Sequence, residues 1–289
     1  MPDSRPVVVQ KRRPPLQEAR LPALLMGIYS LLPVWKESSQ FHTVADVPAG
    51  VHAALGLVIG WLIVFRMNVS YNRWWEARGH WGALVNASRN LAVKASRLVR
   101  LPQLELEQLR RDLVAFPQAL RDHLRDGASL ERLPGYEQAT DRPRHVPGYL
   151  VGERYAALGR WKAAGLIDGQ ELRVLDQEVS RLLEVTGACE RIRQAYIAGA
   201  HRNCARQALL VLFIMLPWGI VNDSQLWTIP ISMMTVYFLL GLEIIAERAE
   251  EPFGCEDQDI NLDAICGSIE KTVGEICQRQ SASGSLQSV

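Results

Sequence analysis

Val47-Pro48-Ala49-Gly50-Val51-His52-Ala53-Ala54-Leu55-Gly56-Leu57-Val58-Ile59-Gly60-Trp61-Leu62-Ile63-Val64-Phe65 contains no Asp, Glu, Lys or Arg. As an α-helix this window is roughly 28 Å long, close to the ~30 Å hydrocarbon core of a bilayer. Three more windows share the property: 21–35, 207–222 and 224–242. By length alone the first and third also suit buried core helices. Two features favour membrane spans. Trp218 and Trp227 flank the short turn around 221–225, where a helical hairpin places indoles at the interface. The short windows also suit helices that meet other protein at one end.

Basic residues orient the four expected spans. Lys11, Arg12, Arg13 and Arg20 precede the first, and Arg66, Arg73, Arg78, Arg89, Lys94 and Arg97 come after the second. The 36–46 connection holds only Lys36, and the 222–226 turn holds no Lys or Arg. The positive-inside rule therefore predicts cytoplasmic termini, a cytoplasmic 66–206 segment and a plasma (inner) membrane location. Lys11, Arg12 and Arg13 resemble the start of a signal peptide, but Pro14, Pro15 and Glu18 interrupt the residues after them, so no cleaved leader is expected.

The rest of the chain reads as helix and loop. No strand pattern or internal repeat stands out, so the fold class is all-α. The helix of the second span should run straight on into the cytoplasm, because Gly79 is the first Gly or Pro after it. The 101–126 segment reads as a charged amphipathic helix broken near Pro117. A loop occupies 133–148. Gly165 is placed to close one arm of a second hairpin, and Asp168 with Glu171 forms a capping box opening the next. From there Leu172, Leu175, Val179, Leu182, Thr186 and Cys189 make a packing seam, with Arg173, Gln177, Ser180 and Glu184 on the opposite, polar face. An acidic stretch, 247–259, precedes an amphipathic helix using Leu262, Ile265, Ile269, Val273 and Ile276.

The expected organisation is a cytosolic segment 1–20, membrane helices 21–66, a cytosolic helical region 67–205, membrane helices 206–246, an acidic loop and helix 247–277, and a disordered tail 278–289.

Several function classes find no support. Lys plus Arg, 32, nearly balances Asp plus Glu, 31, which argues against nucleic acid as a partner. No zinc-protease, nucleophile-elbow, dinucleotide or P-loop motif occurs, and the six histidines never lie at i, i+4, so an enzyme reading has no residues to stand on. His52 inside a span is read as a packed or interfacial side chain. Five cysteines without a C-x-x-C pair read as thiols in a reducing compartment.

The second span carries the informative pattern. Leu57, Trp61 and Phe65 fall at i, i+4 and i+8, and Asn68 and Asn72 extend the same stripe beyond the membrane. Such a stripe serves either helix packing or, repeated around an axis, stacked rings about a narrow hydrophobic constriction.

A resemblance bears on that choice. The 65–78 run Phe-Arg-Met-Asn-Val-Ser-Tyr-Asn-Arg-Trp-Trp-Glu-Ala-Arg, with Trp81-Gly82 and Ser88-Arg89-Asn90-Leu91 after it, resembles the bestrophins, in particular their prokaryotic branch. Glu251-Pro252-Phe253-Gly254 with Asp263-Ala264-Ile265-Cys266 is a second match, and Cys189-Glu190-Arg191-Ile192 a third. The resemblance implies a homopentamer in the lipid bilayer, with four membrane helices and a large cytosolic vestibule per subunit, conducting monovalent ions passively. It places the pore neck at Leu57, Trp61 and Phe65 and the cytosolic aperture at Arg173, where relatives carry an aliphatic residue; the stripe itself then makes Asn68 and Asn72 the expected pore lining below the neck. Animal and plant members pass chloride and similar anions, while some prokaryotic ones favour sodium or potassium. The Arg173 ring leans the expectation toward chloride, with a cation channel or a non-conducting scaffold as alternatives.

Two departures stand out. The 195–201 stretch Ala-Tyr-Ile-Ala-Gly-Ala-His replaces a proline-rich segment of relatives. Animal members also hold calcium in a clasp after the Pro-Phe-Gly motif. Here Glu251, Glu256 and Asp259 remain as oxygen ligands, but Arg248 stands where a neutral amide is expected, and a cation there opposes calcium. The loop alternatively caps a helix. No cofactor is expected to be required.

Overall fold

A computed structural model describes residues 14–40, 48–99, 101–194 and 199–285. Among them every regular element is helical: α1 Pro15–Glu18, α2 Arg20–Glu37, α3 Ala49–Arg97, α4 Gln103–Leu124, α5 Val146–Ala163, α6 Gly169–Gln194, α7 Gly199–Ser224, α8 Thr228–Ala249 and α9 Leu262–Ser285, with single 3-10 turns at Leu130–Arg132 and Gln225–Trp227. The basic cluster Lys11, Arg12 and Arg13 lies outside the described residues, as does most of the 195–201 departure. The chain divides into two units, Met1–Trp74 with Tyr196–Asp259, and Trp75–Ala195 with Ile260–Val289.

In the first unit α8 packs on α2, α7 and α1. Ile59 and Ile63 of α3 form a small core with Leu209 and Leu212 of α7. Gly27 lets α2 approach α8, since a Cβ there would come within 2.6 Å of the Met233 sulfur. His52 is packed: its Nε2 lies 2.7 Å from the Met215 carbonyl oxygen, and its ring occupies the space a Cβ on Gly219 would need. What distinguishes this unit is its outside. Leu21, Leu24, Leu25, Ile28, Leu31, Leu32 and Trp35 of α2 are all exposed, as are Leu210, Val211 and Ile214 of α7 and Ile231, Met234 and Phe238 of α8. Contiguous apolar surface on this scale belongs against lipid or another protein surface, not water. Two stretches, Gly50–Arg97 and Asn203–Ala249, are long and apolar enough to cross a bilayer.

The turn between α7 and α8 falls later than the sequence suggests. Helix α7 continues through Val221, which is buried, to Ser224, and the chain reverses at Gln225, whose φ is 44°. Trp227 is exposed beside the turn as expected, but Trp218 turns inward and donates to the Tyr29 hydroxyl at 2.8 Å.

The second unit has an ordinary core. Trp81, Leu84 and Leu91 of α3, Leu106, Leu109, Leu113 and Leu120 of α4, and Leu175 and Leu182 of α6 are fully buried. The predicted α6 seam is buried from Leu175 to Cys189, with Leu172 half-buried at its start. Asp168 and Glu171 form the predicted capping box, each accepting the other's backbone N–H at 2.7–2.9 Å. Gly165 takes φ 72°, a left-handed residue that ends α5.

Two expectations change here. Helix α4 passes through Pro117 unbroken. The proline loses one backbone bond, but it sits among the buried residues 112–117, whose packing holds the helix together. Helix α9 runs to Ser285, so the described part of the expected disordered tail, 278–285, is helical, and 286–289 lie outside the described residues. Small residues such as Ala282 and Ser283 do not terminate a helix already nucleated upstream.

Candidate functional site

Helix α3 has a packed side and an open side. Ile59, Ile63, Arg66 and Ser70 are buried on its packed side. Leu57, Trp61 and Phe65 retain 67%, 72% and 55% of their surface on another. Asn68 and Asn72 are exposed one and two turns further on. Spacings of three and four residues keep all five on one strip of the helix, so the structure brings the five residues together as one exposed stripe.

Directly behind the end of that stripe lies a buried charge network. Arg66 donates to Glu250 Oε1 through Nε at 3.2 Å and Nη2 at 3.0 Å, and through Nη1 to Glu243. Arg206 of α7 donates to both oxygens of Glu247 at 2.6–2.7 Å. Glu243, Glu247 and Glu250 recur at i, i+4 and i+7, one face of α8, just where its apolar window ends. Removing one member of the buried Arg66–Glu243 pair leaves an uncompensated buried charge at a cost of about 3–5 kcal/mol, whereas the Arg206–Glu247 pair stays open to its surroundings. Sequence reading missed this network, assigning Arg66 to membrane orientation and Glu247 and Glu250 to a loop. The spacing of the three glutamates was the available signal.

The acidic loop is organised by its own backbone. Asp259 accepts the Glu256 N–H at 2.6 Å, and its carboxylate fills the space beside Gly254 that a Cβ would need. Arg248 donates to Glu18 at 2.8 Å and places Nε 3.6 Å from Glu256. Glu251 is exposed. Glu256 already faces a guanidinium and Asp259 a backbone donor, so this donor set fits a calcium ion poorly.

In the second unit Arg173 is exposed on α6 and forms no ion pair among the described residues. Asp176, Gln177 and Glu184 are exposed along the same helix. Elsewhere in this unit Arg154 and Asp112 form a buried pair, with the Tyr136 hydroxyl donating to Asp112 at 2.7 Å. Burial is the largest influence on Asp112 and lifts its carboxyl above the usual range, against the opposing pull of Arg154. Among the described residues, one group has metal-ligand character: His123, His145 and Glu190.

The architecture matches solved structures closely. A bacterial bestrophin homologue from Klebsiella pneumoniae, in a single-substitution form, superposes with a TM-score of 0.84 at 23% identity, covering 90% of this chain and 98% of that one. A second variant of the same homologue gives 0.86 over 92% and 99%. The profile of the Bacterial/Fungal Bestrophin proteins matches residues 16–275. The chain belongs to the bestrophin family. Among other bestrophin-like relatives, the voltage-dependent anion channel-forming protein YneE of Escherichia coli O157:H7 is 32% identical over 252 residues, covering 86% of this chain and 83% of the relative. The voltage-dependent anion channel-forming protein mll4386 of Mesorhizobium japonicum is 30% identical over 228 residues, covering 76% and 72%.

Proposed function

We propose that the protein is a passive ion channel, assembled from five copies and leaning toward chloride and similar anions. The observation that carries this is the exposed stripe on α3: Leu57, Trp61 and Phe65, then Asn68 and Asn72, on a helix whose packed side is already satisfied. A single chain cannot enclose a pore with one helix, whereas cyclic repetition turns the stripe into rings. Leu57, Trp61 and Phe65 then form a narrow neck that disfavours water and ions unless it widens, and the two asparagines supply neutral polar lining below it. Four spans per subunit, α2, the first half of α3, α7 and α8, with cytoplasmic termini and an inner-membrane location, fit the outward apolar faces and the basic flanks.

Arg173 is the proposed cytosolic aperture. Five exposed guanidinium groups attract anions and repel cations, and the positive edges of Trp61 and Phe65 act in the same direction. The names of the relatives, anion channel-forming proteins, support that lean. Calcium and other cofactors are not required in this reading, because Arg248 occupies the electrostatic place of a cation beside Glu256. No catalytic role is proposed for any residue.

Native mass spectrometry of the detergent-solubilised protein tests the assembly. The expected mass is five times the 32.4 kDa chain plus bound detergent. A monomer or dimer as the dominant species contradicts it, since neither closes a ring of α3 helices.

A further inference from the structure

His123 sits in the last turn of α4, His145 at the N-cap of α5 and Glu190 near the end of α6. Their side chains converge on one point. Nε2 of His123 lies 2.6 Å from Glu190 Oε1, and Nε2 of His145 lies 2.7 Å from the same oxygen. The two imidazoles meet edge to face, with centroids 4.7 Å apart. The three ligand atoms all fall within 4.8 Å of one another. None of the three side chains is sealed off, so solvent reaches the group.

We infer that this group is a divalent metal site of the zinc class, one per subunit, holding the ends of α4 and α6 against the start of α5. Two imidazole nitrogens and one carboxylate oxygen are the donor set zinc takes with an open fourth position for water. Tetrahedral ligand atoms at zinc distances stand about 3.3 Å apart, so the two N–O separations, 2.6 and 2.7 Å, open by well under 1 Å to admit the ion. Imidazole donors select zinc, nickel or copper over calcium and magnesium, which require oxygen ligands.

The bond behind His145 sets the affinity. Its Nδ1 accepts the Gly148 N–H at 2.9 Å, which places the ring proton of the neutral side chain on Nε2. A metal at Nε2 displaces that proton, and a neutral ring must then carry its proton on Nδ1, where it opposes the Gly148 N–H. Binding therefore releases or relocates a proton and weakens one capping bond. The site therefore holds its metal more weakly than a closed four-ligand structural zinc centre.

The test uses the full chain, purified in detergent without histidine tags, stripped with chelator and titrated with zinc chloride. The expected result is one zinc per subunit, a raised melting temperature, and loss of about 100-fold or more in affinity in the His123→Asn, His145→Asn double variant, at or beyond the 10–100-fold lost when a residue supporting a ligand is removed. X-ray absorption on the zinc-loaded wild type reads the ligands without mutation, and should show a nitrogen and oxygen shell with imidazole scattering. A sulfur shell, an all-oxygen shell, unchanged affinity in the double variant or no saturable binding each overturns the site.

Discussion

Helix α3 contains two regimes in one unbroken element of 49 residues. In its first half Trp61 is 72% exposed, together with Leu57, Val58, Val64 and Phe65. In its second half Trp81, Leu84, Ala87 and Leu91 are buried almost completely. Tryptophan and leucine therefore face outward at Trp61 and Leu57 and inward at Trp81 and Leu84, on one continuous helix. On the packed face of the second half, burial obeys the ordinary rule of a water-soluble core. In the first, apolar side chains face outward because lipid, a neighbouring copy or the proposed pore lies there instead of bulk water. Buried ion pairs occur in both units, Arg66 with Glu243 and Glu250 in the first and Arg154 with Asp112 in the second, so charge burial does not separate them.

The sharpest way to break this comparison is to truncate the two tryptophans. Trp81→Ala removes a fully buried ring and should destabilise the protein by about 3–5 kcal/mol, abolishing the assembled form on size-exclusion chromatography. Trp61→Ala removes an exposed one and should change the melting temperature little, within about 0.5 kcal/mol. Equal losses of stability would mean that Trp61 is packed as core in the assembly and not presented to a pore.

A second intervention sharpens what the outward stripe does. Replacing Leu57, Trp61 and Phe65 together with Ala should raise single-channel conductance or open probability severalfold while the oligomer persists. Unchanged currents from an intact oligomer would move the constriction elsewhere.

The smallest effect concerns thiols. Burial pushes the Cys189 and Cys266 thiols up to about 12 and Cys277 up to about 11, whereas Cys204 is exposed. A raised thiol pKa keeps the unreactive protonated form, so at pH 8 maleimide should label Cys204 and leave these three unmodified until the protein is unfolded. Labelling of Cys189 in the folded protein would contradict the burial of the α6 seam.

Much of this was legible in residue order. The apolar windows, the α3 stripe, the α6 seam and the Asp168–Glu171 cap all depend on neighbours within a few turns, which periodicity reports directly. The relations that were not legible join distant positions. Arg66 and Glu243 are 177 residues apart, and His123 and Glu190 are 67 apart, so no spacing rule connects them. Pro117 misled because a helix-breaking preference was weighed without the buried surroundings that override it. Trp218 misled because its indole found the Tyr29 hydroxyl in place of an interface.

A passive pore with an anion lean shows itself in the reversal potential of the purified protein in a planar bilayer under asymmetric KCl, with calcium chelated throughout. The account predicts steady currents reversing near the chloride equilibrium potential, and a shift toward the potassium potential in Arg173→Glu. Wild-type currents reversing near the potassium potential would contradict the selectivity, and the absence of any current from an intact oligomer would contradict the channel itself.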